Sequence, residues 1–112
     1  MKILLTGIAG FIGYHLMYKL KDRYEIIGLD SINDYYDIGL KYDRLNNLGF
    51  KNEFQYNHLK ISDLYNNLSF IKLNLEDKEN IERLFEKEKF DLVINLAAQA
   101  GVRASLTNPD IY

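Results

Sequence analysis

Apolar residues in this chain fall into short continuous runs separated by stretches of helical spacing. Such alternation is the mark of buried parallel strands joined by amphipathic helices. Ile3, Leu4 and Leu5 open the first run, and Tyr24 to Asp30 form the second. Ser69 to Leu75 make the third and Asp91 to Leu96 the fourth. Between the first two runs, Phe11, Ile12, His15, Leu16 and Leu20 recur at helical spacing, predicting a helix from about Gly10 to Lys21. Between the last two, Asp77 is placed to cap a helix that runs to about Lys87, with Ile81, Leu84 and Phe85 on one face. The expected fold class is therefore α/β, a doubly wound parallel sheet of about four strands with right-handed crossovers. Strand order 3-2-1-4 would open a crevice between the first and fourth strands.

Residues 31–68 are harder to read. Ile38, Tyr42, Leu45 and Leu48 lie near helical spacing and predict a helix over Asp37 to Leu48, with Gly49 closing it. Phe50 to Leu68 is polar and rich in tyrosine, with a short turn expected over Asp63 to Asn67. A connection of this length is either functional or an insertion lying over the domain. Past Leu106, Asn108 and Pro109 mark the start of a further helix.

Composition narrows the class. The 112 residues suit one domain, and 47% hydrophobic with 27% charged residues describes a soluble globular chain rather than a disordered one. A net charge of −2 leaves no electrostatic footprint for nucleic acid. Without cysteine there is no disulfide framework, thiolate metal site or thiol nucleophile, which suits a cytoplasmic location. No apolar run approaches the roughly 18 residues of a membrane span, so no membrane is expected as a partner. The first strand starts at residue 2, leaving no room for a signal peptide. The nine Tyr and six Phe read as packing residues.

The chemistry concentrates in Lys2 to Gly13, an apolar strand followed by Gly7, Gly10 and Gly13 and then a helix. Gly7 would allow a sharp bend out of the strand. Gly10 would let a pyrophosphate approach the amides at the helix N-terminus, and Gly13 would let the helix pack closely on its strand. The spacing is G-x-x-G-x-x-G rather than the simplest dinucleotide fingerprint, and the plain alternative is an ordinary strand-to-helix turn. Asp30 stands 17 positions after Gly13, where a carboxylate at the end of the second strand accepts from the adenosine ribose hydroxyls. Its charge would repel a 2′-phosphate and no Arg follows directly, so NAD is expected over NADP; the alternative is a turn-forming Asp. His15, His58, Tyr35 and Tyr36 have no chemical partner in the pattern and read as packing or surface residues, and no metal site is expected.

Three blocks carry a resemblance: Thr6 to Gly13, Asp30 with Asn33 to Asp37, and Leu96 to Arg103. On these the chain resembles the N-terminal part of an extended short-chain dehydrogenase/reductase, the Rossmann-type family of NAD-dependent nucleotide-sugar epimerases and dehydratases. Asn-Asp-Tyr-Tyr-Asp and Ala-Ala-Gln-Ala-Gly-Val-Arg are similar to UDP-glucuronate 4-epimerases in particular. The resemblance implies a cofactor site with the pyrophosphate on Gly7, Gly10, Phe11 and Ile12, Gly13 completing the same turn, and the ribose on Asp30. It further implies Asn74 and Leu75 beside adenine, and Leu96, Ala97 and Ala98 beyond the pyrophosphate. Asn74 stands where the family commonly has Asp, Ser31 where Asn is frequent, and Asn95 where His is frequent. Arg103 is the implied substrate-binding residue, suited to phosphate or carboxylate; the alternative is a surface arginine near a helix start.

For the parent enzyme the resemblance implies a UDP-sugar substrate, interconversion of UDP-glucuronate and UDP-galacturonate by C4 oxidation and re-reduction, and a homodimer. Another nucleotide-sugar epimerase or dehydratase, or a non-catalytic dinucleotide-binding module, stays open. In the family a later Ser or Thr and a Tyr-x-x-x-Lys pair handle proton transfer. Here the only Tyr with a Lys four residues on is Tyr56 with Lys60, ahead of the third strand. No catalytic residue is therefore expected in residues 1–112, which read as the N-terminal part of the NAD-binding domain, inactive alone.

Overall fold

The computed structural model describes residues 1–32, 38–51 and 54–96, together with the backbone of the strand at 103–106. Its elements run β1 (Lys2–Thr6), α1 (Phe11–Leu20), β2 (Glu25–Asp30), α2 (Ile38–Asn47), β3 (Leu59–Ile61), β4 (Leu68–Lys72), α3 (Lys78–Glu88), β5 (Leu92–Asn95) and β6 (Arg103–Leu106). They form one mixed sheet in the order β3-β4-β2-β1-β5-β6. The four parallel strands β4, β2, β1 and β5 are the four apolar runs of the sequence, in the expected 3-2-1-4 order.

Two antiparallel edge strands are added. β3 pairs with β4 and β6 pairs with β5. Only three residues long and set in a polar stretch, β3 carries too little pattern to be read as a strand, and Arg-Ala-Ser-Leu of β6 is no clearer. The helix expected after Asn108 lies outside the described residues, as do Tyr35 and Tyr36.

Strand alternation divides the core between two faces. Ile3 and Leu5 of β1, Ile26 of β2 and Phe70 of β4 pack with Met17 of α1, Leu45 of α2 and Phe50. Leu4, Ile27, Leu29, Ile71 and Val93 pack on the other face with Leu84 and Phe85 of α3 and with Phe90. Full burial of a side chain such as Phe50, Phe70 or Phe90 is worth about 1.5–3 kcal/mol each.

The insertion is fastened to this core by polar groups. α2 ends in paired bonds, Phe50 N–H to Leu45 O at 2.9 Å and Gly49 N–H to Asn46 O at 3.0 Å, the geometry of a Schellman closure at the expected glycine. Buried Ser62 donates to Leu48 O at 2.7 Å and accepts from Leu64 N–H at 3.1 Å and Tyr65 N–H at 3.0 Å. This brings the chain round into β4 within the stretch where the sequence predicts a turn. Asn67 donates to Tyr24 O at 2.6 Å, tying that turn to the loop before β2.

Candidate functional site

In register, Thr6 of β1 lies beside Leu29 of β2 and Asn95 of β5, so three parallel strands end together. In open α/β sheets that carboxyl edge is where ligands bind. The glycine turn leaves it with Gly7 at φ 79°, a left-handed conformation that suits glycine, and Gly7 N–H donates to Leu29 O at 2.7 Å. Gly10 N–H returns to Gly7 O at 3.0 Å. A Cβ on Gly13 would lie 2.2 Å from Gly7 O and 2.9 Å from Ile8 Cα, so the first turn of α1 rests directly on the glycine turn.

Gly10 is the N-cap of α1, with no side-chain cap and no acidic residue in the first turn. Phe11 and Ile12 are exposed there. The leading N–H groups of α1 therefore lack the side-chain acceptor that usually satisfies one of them, and the dipole adds positive potential at the same place. That combination suits an anion such as a pyrophosphate.

Asp30 supplies the complementary charge. Its side chain is buried, Oδ2 accepting from Ala9 N–H at 3.0 Å and Oδ1 from Ile32 N–H at 2.8 Å. Both carboxylate oxygens are thus oriented by backbone, and each keeps acceptor capacity for a hydroxyl. Asp30 lies at the end of β2, as the apolar run predicts, and a cation outside that pattern arrives from α2. Arg44 of α2 donates from a guanidinium N–H to Ala9 O at 3.0 Å, with its guanidinium carbon 5.8 Å from the centre of the Phe11 ring. A signal was present: Lys41, Arg44, Leu45 and Leu48 fall on one helical stripe, and Lys41 is buried along with the two leucines.

On the β5 side, Thr6 Oγ1 donates to Asn95 Oδ1 at 2.5 Å and accepts from Leu96 N–H at 3.1 Å. Asn95, at the position where the resemblance makes His frequent, thus links the ends of β1 and β5. Asn74 and Leu75 follow β4 and are exposed. A cavity of about 380 Å³ lies between α3 and strands β1 and β5, with Leu75, Thr6 and Asn95 among its walls and no glycine of the turn. Ala97 and Ala98 lie outside the described residues, and Arg103 is placed only by its backbone, paired with Asn95 at the start of β6.

Tyr56 and Lys60 do not form a catalytic pair. The Tyr56 hydroxyl donates to Asp77 Oδ2 at 2.6 Å and accepts from Asn74 N–H at 3.2 Å. Partial burial and the bond to Asp77 raise the phenol's pKa, and the bond from Tyr56, followed by that from Asn80, holds the Asp77 carboxyl below its ordinary range. Lys60, on β3, donates to the Lys51 carbonyl and lies 5.2 Å from the Phe54 ring. Lys60 is on β3 and Tyr56 is bridged to Lys72 at the end of β4, both away from the β1–β5 crevice. His15 packs its ring 4.5 Å from Phe11 and 4.9 Å from Tyr14. Among the described residues no cluster of three His, Cys, Asp or Glu could hold a metal ion.

A glycine turn feeding an uncapped helix at the switch of strand order, beside a backbone-held carboxylate at the end of β2, defines a Rossmann-type doubly wound domain. The chain belongs to the GDP-mannose 4,6 dehydratase family, whose model matches residues 4–112. It is 47% identical to Protein CapI of Staphylococcus aureus over 113 aligned positions, covering 100% of this chain and 29% of that protein. It is 40% identical to a UDP-glucuronate 4-epimerase of Thermodesulfobacterium geofontis, over 97% of this chain and 30% of that protein. The crystal structure of UDP-glucuronic acid 4-epimerase from Bacillus cereus in complex with UDP-glucuronic acid and NAD superposes with a TM-score of 0.67, at 29% identity, over 90% of this chain and 27% of that one. These findings bear out the resemblance to nucleotide-sugar epimerases and dehydratases of the extended short-chain dehydrogenase/reductase type. The chain spans less than a third of the length of these relatives.

Proposed function

We infer that residues 1–112 are the N-terminal part of the NAD-binding domain of a nucleotide-sugar epimerase, one acting on UDP-glucuronate and UDP-galacturonate at C4. The observation that carries the cofactor reading is the Asp30 carboxylate, fixed by Ala9 and Ile32 N–H groups at the mouth of the glycine turn. Gly7, Gly10 and Gly13 shape the turn, and the N–H groups at Phe11 and Ile12 are the donors for the pyrophosphate. Asp30 accepts from the adenosine ribose. Asn74 and Leu75 flank adenine, the Asn side-chain oxygen accepting from its amino group, and Leu96, Ala97 and Ala98 line the cofactor further in. Bound NAD supplies the hydride acceptor and donor that oxidation and re-reduction of a sugar carbon require.

The substrate assignment is supported by the names of the relatives, which include UDP-glucuronate 4-epimerases from several organisms. Arg103 is assigned to the sugar-nucleotide side on the resemblance alone. The test of the cofactor reading is titration calorimetry of the chain with NAD and with NADP. We expect NAD to bind and NADP to bind at least about tenfold more weakly, a difference of about 1.4 kcal/mol, because a 2′-phosphate would meet the Asp30 carboxylate. Equal affinity for the two, or no binding of NAD, would overturn it.

A further inference from the structure

We propose that Arg44 is a positioning residue of the cofactor site, holding the turn at residues 9 to 11 and adding positive potential where a diphosphate would sit; this rests on the cofactor reading above. Three observations converge on it. Arg44 donates to Ala9 O at 3.0 Å, while the N–H of the same residue donates to Asp30 Oδ2, also at 3.0 Å. Ala9 is thus gripped at its two polar ends by opposite charges from α2 and β2. The guanidinium also lies 5.8 Å from the ring of Phe11, two residues further on, within reach of a cation–π contact. It therefore spans the turn from residue 9 to residue 11, the segment that leads into the uncapped N-terminus of α1.

A guanidinium carries five N–H donors in a planar fork, so a bond to one carbonyl leaves capacity for phosphate oxygens alongside. Its effect on the helix terminus has the same sign as that of the dipole. The segment after β2 has a purpose beyond covering the domain, because α2 is the element that delivers this cation to the turn. Ser62, by bonding Leu48 O at the end of α2, helps fix the helix that carries it.

The experiment compares Arg44→Ala, Arg44→Lys and Asp30→Ala with the unaltered chain, titrating NAD by calorimetry and adenosine by NMR. Arg44→Ala should weaken NAD at least about tenfold and adenosine less than about threefold, and should lower the steepness with which NAD affinity falls as salt rises. Arg44→Lys should recover part of the NAD affinity. Asp30→Ala should weaken both ligands together. If Arg44→Ala binds NAD as the unaltered chain does while Asp30→Ala loses it, the role of Arg44 is overturned and the cofactor site stands. If Arg44→Ala loses NAD and adenosine equally, Arg44 is only a structural clip and the proposal fails. If neither variant affects NAD, or the unaltered chain binds none, both the cofactor reading and the role of Arg44 fall.

Discussion

At Gly13 the absence of one methyl group lets α1 sit on the glycine turn. An added Cβ would fall 2.2 Å from Gly7 O and 2.8 Å from Gly7 C, and backbone atoms cannot rotate away as a flexible side chain could. Gly13→Ala must therefore push the helix off the turn, an overpacking change that costs about 2–3 kcal/mol. For a chain of this size the melting temperature should fall by roughly 10 °C, which a thermal scan followed by circular dichroism would register. An unchanged melting temperature would contradict the packing described. Positions marked by a local pattern, such as Gly13 in the glycine turn or Asp30 at the end of an apolar run, were legible in the sequence. Arg44 was not, because its partner Ala9 is 35 positions away and the helix that joins them follows the least patterned segment of the chain.

Among the elements, the four parallel strands could be read because each is a continuous apolar run buried from both faces. β3 could not, since burial reaches it from one side only and Ile61 is exposed. Besides the packing of Leu59 on the cluster that holds Leu84 and Phe85, a polar contact links this region to α3: Tyr56 donates to Asp77, the N-cap of α3, whose carboxylate also accepts from Asn80 N–H at 3.3 Å and from Asn80 Nδ2 at 2.8 Å. The two groups titrate in opposite directions. Asp77 has its pKa lowered from 3.8, so its contribution is present above that value and is lost as pH falls through the lower folded one. Tyr56 has its pKa raised from 10.0, so its contribution is present below that value and is lost as pH rises through the higher folded one. Urea denaturation of Tyr56→Phe should therefore show lower stability than the unaltered chain across the neutral range. The gap should close at both extremes, below about pH 4 and above about pH 10. A gap independent of pH would mean that the hydroxyl is not bonded to Asp77.

For the whole molecule, the sheet gathers the groups that would hold a dinucleotide along its carboxyl edge and keeps Tyr56 and Lys60 away from the crevice between β1 and β5. The glycine turn, Asp30 and Arg44 converge at the carboxyl ends of β1 and β2, whereas Lys60 is on β3 and Tyr56 is bridged to Lys72 at the end of β4, on the side of the sheet away from β5. Tyr56 is further committed to Asp77 and Asn74, and a phenol with a raised pKa is a poorer source of phenolate at neutral pH. Neither residue is therefore placed to exchange a proton with a sugar at the crevice. The chain also spans only 29% and 30% of two of its relatives, which leaves most of their length to supply such groups. The purified 112-residue chain should consequently give no epimerisation of UDP-glucuronate in the presence of NAD, even at concentrations where it binds the cofactor. Following the UDP-sugars by chromatography over hours tests this directly. Turnover by the isolated chain would show that a proton-transfer group lies within these residues, and binding without turnover would locate it in the portion of the relatives that this chain does not span.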